Sequence, residues 1–147
     1  MKEVIIREAE VADFTDVIAL IKEFSLFQKT PEKVTITLEQ MTAEKKFFRC
    51  VVAETEKKEI VGFATFFPAY YSWSGKVLYL DDLYVKESSR KLGIGKKLLN
   101  TVILLAKENG CKKIRWQVSG WNVNAIDFYK KIGAVIDDTE RNCDLLF

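Results

Sequence analysis

Residues 77–110 constrain the fold more than any other part of the chain. A β-rich stretch ends at Val85, Gly93, Ile94 and Gly95 follow, and then Leu98, Leu99, Val102, Leu105 and Ala106 recur at helical spacing until Asn109 and Gly110 stop the helix. A further β-rich stretch covers 113–119. A strand, a helix and a strand in that order predict a crossover unit, which lays two strands of one sheet parallel. Upstream, a short strand opens at Val4, Ile5 and Ile6. It leads into an amphipathic helix whose apolar side is Val11, Phe14, Val17, Ile18, Ile21 and Phe24. A loop around Thr30 and Pro31, a weaker helical stretch at 38–47 and β-rich segments at 48–54, 60–71 and 77–85 come next, with hairpin turns expected at Lys57, Lys58 and at Ser74, Gly75. Near the end, Asn122 can cap a short helix carrying Ala125, Ile126, Tyr129 and Ile132, and a last strand is expected to run toward Phe147. The order predicts an α/β chain built on a mixed sheet with helices on both faces.

The 147 residues are 48% hydrophobic and 30% charged, without low-complexity tracts or repeats, and read as one domain over 1–147. Lys and Arg number 23 against 21 Asp and Glu, so the net charge of +2 makes no general case for a nucleic-acid or membrane partner. There is no histidine. That excludes Ser-His-Asp and Cys-His nucleophiles, a histidine general base and most zinc and iron ligand sets, and no metal is expected. Cys50, Cys111 and Cys143 are odd in number and far apart, as reduced thiols of a cytosolic protein would be. Residues 1–8 lack the apolar run of a signal peptide and no later run approaches a membrane span, so a soluble, cytoplasmic protein is expected.

The chemistry is concentrated where the strand meets the helix. After Asp81, Asp82, Leu83, Tyr84 and Val85 comes Arg90, Lys91, Leu92, Gly93, Ile94, Gly95, Lys96, Lys97. Glycines let successive backbone N–H groups face one point, the helix dipole makes that point positive, and four cations add to it, which describes a cradle for phosphate or pyrophosphate. The competing reading is a loop end with solvated lysines. A Walker A loop is excluded because no Ser or Thr follows the lysine, and a dinucleotide fingerprint fails at Leu98, where its third glycine belongs.

The spacing R-x-x-G-x-G between strand and helix resembles the pyrophosphate signature of the GNAT acetyltransferase superfamily. The block Asn122, Ala125, Ile126, Phe128, Tyr129, Gly133 resembles that superfamily's later helix. The resemblance implies a six- to seven-stranded GNAT fold with a splayed central strand pair, and acetyl-CoA as co-substrate. Its pyrophosphate would lie on residues 90–96 and its pantetheine arm along the backbone of Leu83, Tyr84 and Val85, with Asn122 in contact. Tyr129 would protonate the departing CoA thiolate, a task suited to a phenol that is neutral at pH 7; packing as a core aromatic is the competing role.

Residues 4–7, 20–23 and 60–64, Trp121 and above all the run Trp-Ser-Gly-Lys-Val-Leu-Tyr-Leu-Asp-Asp at 73–82 resemble the diamine (spermidine/spermine) acetyltransferase branch. That resemblance makes Asp81 the carboxylate that takes the proton of the substrate amine, directly or through water, with Asp82 beside it and Phe27 and Trp73 around the substrate. An alkylamine has a pKa near ~10.4 and is protonated at pH 7, so attraction and activation both call for carboxylates. Where polyamine-specific members carry further acidic residues, this chain has Phe27, Gln28 and Tyr71, Ser72. A polyamine, a diamine and a thialysine-like amine all stay open as substrates. So do acetylation of a protein N-terminus or lysine, and a noncatalytic CoA-binding module. The resemblance also suggests a homodimer through the C-terminal strand.

Overall fold

Alternation of apolar side chains along three long strands builds one sheet, and two helices cover its two faces. The computed structural model describes residues 3–147; Met1 and Lys2, where the N-terminal reading begins, lie outside the described residues. Two compact units are present, Met1–Trp116 and Gln117–Phe147. The first holds strands β1 (Val4–Glu8), β2 (Arg49–Thr55), β3 (Ile60–Tyr71), β4 (Gly75–Val85) and β5 (Ile114–Arg115), with helices α1 (Phe14–Phe27), α2 (Leu38–Ala43) and α3 (Ile94–Glu108). The sheet runs β1-β2-β3-β4-β5, antiparallel up to β4 and parallel between β4 and β5.

In β2, Val51 and Ala53 face one way and join Leu98, Leu99, Val102 and Ala106 of α3. Cys50 and Val52 face the other way and join Val17 and Leu20 of α1. This is the two-residue alternation of a strand buried on both faces. Gly62 in β3 is needed where α3 lies closest, because a Cβ there would stand 3.1 Å from the Tyr84 carbonyl and 3.2 Å from Leu98 Cδ1.

The expected crossover from β4 through α3 to a parallel strand is present, but among the described residues the sheet has five strands rather than six or seven. The stretch expected over 113–119 pairs only at Ile114 and Arg115. The helical stretch at 38–47 is an α-helix to Ala43, capped by Thr37, followed by a 3₁₀ turn at Lys45–Phe47.

The second unit holds α4 (Val123–Lys131), whose N-terminus is capped by Asn122 Oδ1 accepting from the Ala125 N–H at 3.3 Å. No strand runs toward Phe147 among the described residues. Leu145, Leu146 and Phe147 are exposed, and β-prone residues form a ladder only where a neighbouring backbone pairs with them. No helix of the described residues is long and apolar enough to cross a membrane.

Candidate active site

Asp81 is the extra residue of a β-bulge. Along the β3–β4 ladder Thr65 pairs with Asp82 and Phe66 pairs with Leu80, so Asp81 has no residue opposite. The bulge reverses the phase of β4. Before it, Leu78 and Leu80 belong to the core under α3; after it, Tyr84 belongs to the core under α1, and Leu83 and Val85 pack on the α3 side. Successive side chains of a regular strand point to opposite faces. Across this bulge Asp81 and Asp82 instead open onto one cavity.

That cavity has a volume of about 510 Å³. Its walls are the β3 residues Thr65, Phe66 and Phe67, the segment 33–36 after α1, and Met41, Glu44, Phe47 and Phe48 in and after α2. Burial pushes the Asp82 carboxyl up to about 6, and the neighbouring Asp81 charge adds to the shift. Burial also raises Asp81, which stands nearer the solvent. Two adjacent carboxyl groups with raised pKa values in an aromatic-walled cleft suit proton exchange with a cationic amine.

Phe27 and Trp73 are not brought to this cavity. Trp73 is fully exposed at the tip of the β3–β4 hairpin, and the strand from Gly75 to Asp81 spans about 20 Å at roughly 3.3 Å per residue. Phe27 instead lies against Arg90, whose guanidinium sits 5.2 Å from the Phe27 ring and 5.2 Å from the Tyr84 ring. Arg90 Nε donates to the Val85 carbonyl at 3.0 Å. The end of α1 and the end of β4 are thus joined through one cation. The Tyr84 ring stacks on Phe24 at 5.0 Å, and burial with a hydrogen bond to Glu23 pushes its phenol up to about 12. Thr65 and Glu44, which the sequence reading did not single out, are brought to the cavity of the carboxylates by pairing and by the return of the chain through α2.

At the other end of β4 the backbone is splayed. β4 stays paired with β3 through Val85, while its pairing with β5 is confined to Leu78 and Tyr79. Beyond it, Lys91 and Gly93 adopt φ of 66° and 76°, which turns the chain into α3. Gly93 is the N-cap, with no side chain capping the helix and no acidic residue in its first turn. Ile94 is buried and anchors the start, whereas Leu92 is exposed. Space around Gly93 is open, and a Cβ on Gly95 would meet only Val85 and Leu83 side chains at ordinary contact, 3.7 and 3.8 Å. The first-turn N–H groups of Ile94, Gly95 and Lys96 have no partner within the helix.

Within the second unit, Tyr129 lies on α4 with its ring 5.7 Å from that of Phe128. Burial raises its pKa, so its phenol keeps its proton at neutral pH. Asn122 uses its carbonyl oxygen as the α4 cap.

A splayed strand, a basic glycine turn and an uncapped helix N-terminus have a counterpart among known proteins: residues 13–134 match the model of the Acetyltransferase (GNAT) family. The chain belongs to the GNAT acetyltransferase family. Thialysine N-epsilon-acetyltransferase of Sus scrofa is 35% identical over 145 residues, covering 91% of this chain and 85% of that protein. Spermidine/spermine N(1)-acetyltransferase-like protein 1 of Homo sapiens is 31% identical over 150 residues, covering 95% of this chain but 22% of that longer protein. Among solved structures, an aminoglycoside acetyltransferase from an uncultured soil metagenomic sample, in complex with sisomicin, superposes with a TM-score of 0.79 at 22% identity, covering 98% of this chain and 96% of that one. The GNAT family uses acetyl-CoA as co-substrate, and the α3 N-terminus fits its pyrophosphate: first-turn N–H groups without a helical partner and open space at Gly93, with Lys91 and Lys96 flanking them in the chain.

Proposed function

We propose that this GNAT acetyltransferase moves the acetyl group of acetyl-CoA directly onto a primary amine of a small molecule. The observation that carries the reading is the bulge at Asp81, which turns two adjacent carboxylates into one cavity. Asp81 and Asp82 attract the ammonium, and one of them accepts its proton, directly or through water, so that the neutral amine can attack. The acetyl thioester of acetyl-CoA supplies the acyl group. The α3 N-terminus with Arg90, Lys91 and Lys96 binds the phosphates, and the backbone of Leu83, Tyr84 and Val85 holds the pantetheine arm and polarises the thioester carbonyl through an N–H. Asn122 offers its amide to the cofactor, and Tyr129 protonates the leaving thiolate. Residues 1–147 act as one catalytic domain in this reading, in keeping with a family match that runs through both units.

An acyl-cysteine route through Cys50 is disfavoured, because burial pushes its thiol up to about 12. Acetylation of a protein N-terminus or lysine is the alternative reading, and a peptide acceptor would have to enter the same cavity past residues 33–36 and α2. We place the enzyme in the cytoplasm and expect a homodimer; sedimentation at micromolar concentration tests the latter. The deciding experiment is release of CoA thiol with a panel of small amines and peptides. Turnover on small amines supports the reading, turnover on peptides alone replaces it, and tight CoA binding without thiol release on any acceptor makes the chain a noncatalytic module.

A further inference from the structure

Phe27 ends α1 beside the cofactor turn rather than in the cavity of the carboxylates. It is 44% exposed, so burial in the core does not account for its place. Phe24 and Phe27 are three residues apart and share one face of α1; Phe24 stacks on Tyr84, and Phe27 lies against Arg90. Arg90 stands where the chain leaves a 3₁₀ turn at Glu87–Ser89 and heads for Gly93, and its backbone N–H donates to the Glu87 carbonyl at 3.2 Å. Three groups hold its side chain. Nε donates to the Val85 carbonyl at 3.0 Å, and the guanidinium sits 5.2 Å from the Phe27 ring and 5.2 Å from the buried Tyr84 ring. Arg90 takes part in none of the ion pairs formed among the described residues.

A guanidinium is a planar fork of donors. With Nε committed to Val85 and two rings against it, the Nη groups carry the donors left for an anion. An arginine side chain loses more rotamer freedom than most when it is fixed, so one that is already held binds a phosphate at a lower entropic cost. Resting on the cofactor reading above, we propose that Phe27 is a positioning residue for acetyl-CoA: it keeps the Arg90 guanidinium against Tyr84, so that the Nη groups meet a phosphate of the cofactor. The aromatic residue that ends α1 then serves the phosphate end of the co-substrate, and the amine is left to other groups.

Calorimetric titration with CoA, which needs no acceptor amine, tests this. Phe27→Leu should weaken CoA binding roughly 3- to 30-fold, the span of a cation–π contact. Phe27→Tyr keeps a ring face and should bind CoA as the wild type does. Arg90→Gln should itself bind CoA more weakly, and adding Phe27→Leu to it should cost nothing further, because the two side chains act as one unit. Phe27 is exposed, so the melting temperature without ligand should hardly move in Phe27→Leu, which separates a loss of position from a loss of fold. Wild-type affinity in Phe27→Leu or in Arg90→Gln overturns the proposal while leaving the cofactor reading intact. So does a further loss when Phe27→Leu is added to Arg90→Gln, a failure of Phe27→Tyr to restore binding, or a weakening that tracks a lowered melting temperature. A wild-type chain that does not bind CoA overturns the proposal and the cofactor reading together.

Discussion

Asp82 stands opposite Thr65 in the β3–β4 ladder, and both side chains line the same cavity. Their pairing fixes how deep Asp82 sits, and the unpaired Asp81 beside it fixes which face it reaches. One extra residue in one strand thus exchanges the α3 face for the α1 face partway along β4, and a carboxylate pair comes to lie against aromatic walls.

Burial of Asp82 has opposite consequences for activity and stability. Its carboxylate form is the one that binds the ammonium, so kcat/KM should rise as pH passes about 6, and Asp82→Asn should lower kcat/KM roughly 10²–10⁴-fold. For stability the sign reverses. A carboxyl with a folded-state pKa above its ordinary 3.8 stabilises the fold fully below that value and loses the contribution as pH rises through about 6. Asp82→Asn should therefore be more stable than wild type at pH 7, by about 1–3 kcal/mol. The gain should shrink toward pH 4 in urea unfolding followed at several pH values.

Gly93 separates two effects at the cofactor loop. Its φ of 76° is costly for any residue with a Cβ, so Gly93→Ala should lose about 1 kcal/mol of stability. Gly93→Asp adds an anion where a phosphate is expected and should weaken CoA binding by roughly tenfold or more beyond the alanine variant. Calorimetric titration with CoA measures the difference, and equal affinities in the two variants would remove the loop from the cofactor site.

Tyr129 should act in kcat and not in binding. Burial keeps its phenol protonated, the form a general acid requires, and Tyr129→Phe should lower kcat roughly 10²–10⁴-fold with CoA affinity nearly unchanged. If turnover survives the loss of the hydroxyl, the side chain is a packing residue of α4.

Arg7 provides a test of stability away from the chemistry. Its guanidinium donates to Asp13 at 2.8 and 2.9 Å and to Glu54 at 2.9 Å, tying β1 to the start of α1 and to β2. Asp13 and Glu54 are both held below the ordinary carboxylate range, first of all by these hydrogen bonds. A lowered pKa means that the contribution is present above the ordinary value and is lost as pH falls through the folded-state value. Arg7→Met should melt at a lower temperature than wild type at pH 7. The gap should close in acid, once both carboxylates are protonated; a gap independent of pH would assign the loss to packing.

Local signals carried much of this architecture. The stripe from Leu98 to Ala106, the glycines before it and the Asn109, Gly110 stop located α3 to within a turn, because helical spacing, a helix start and a helix stop are local properties. The hairpin turns at Lys58 and Gly75 were legible for the same reason, and both residues have positive φ. The last strand was not: the apolar end Leu145, Leu146, Phe147 suggested it, but a strand exists only where another backbone completes its hydrogen bonds. Trp73, which the resemblance sets around the substrate, lies at the tip of the β3–β4 hairpin, about 20 Å along β4 from Asp81. The doublet Asp81, Asp82 inside an apolar strand did break the two-residue alternation, a signal for the bulge that a closer reading of β4 could have used.

The sequence by itself determined the chain's chemical vocabulary: no imidazole, a basic glycine turn before an amphipathic helix, two adjacent carboxylates and a tyrosine on a short helix. These follow from residue type and spacing alone. Only the tertiary structure decided which face the carboxylates reach, that Phe27 and Tyr84 hold Arg90, and that Lys33 and Glu44 share a cavity with Asp81 and Asp82. Those relationships join residues far apart in the chain through strand register and helix packing, and register is set by which backbones pair.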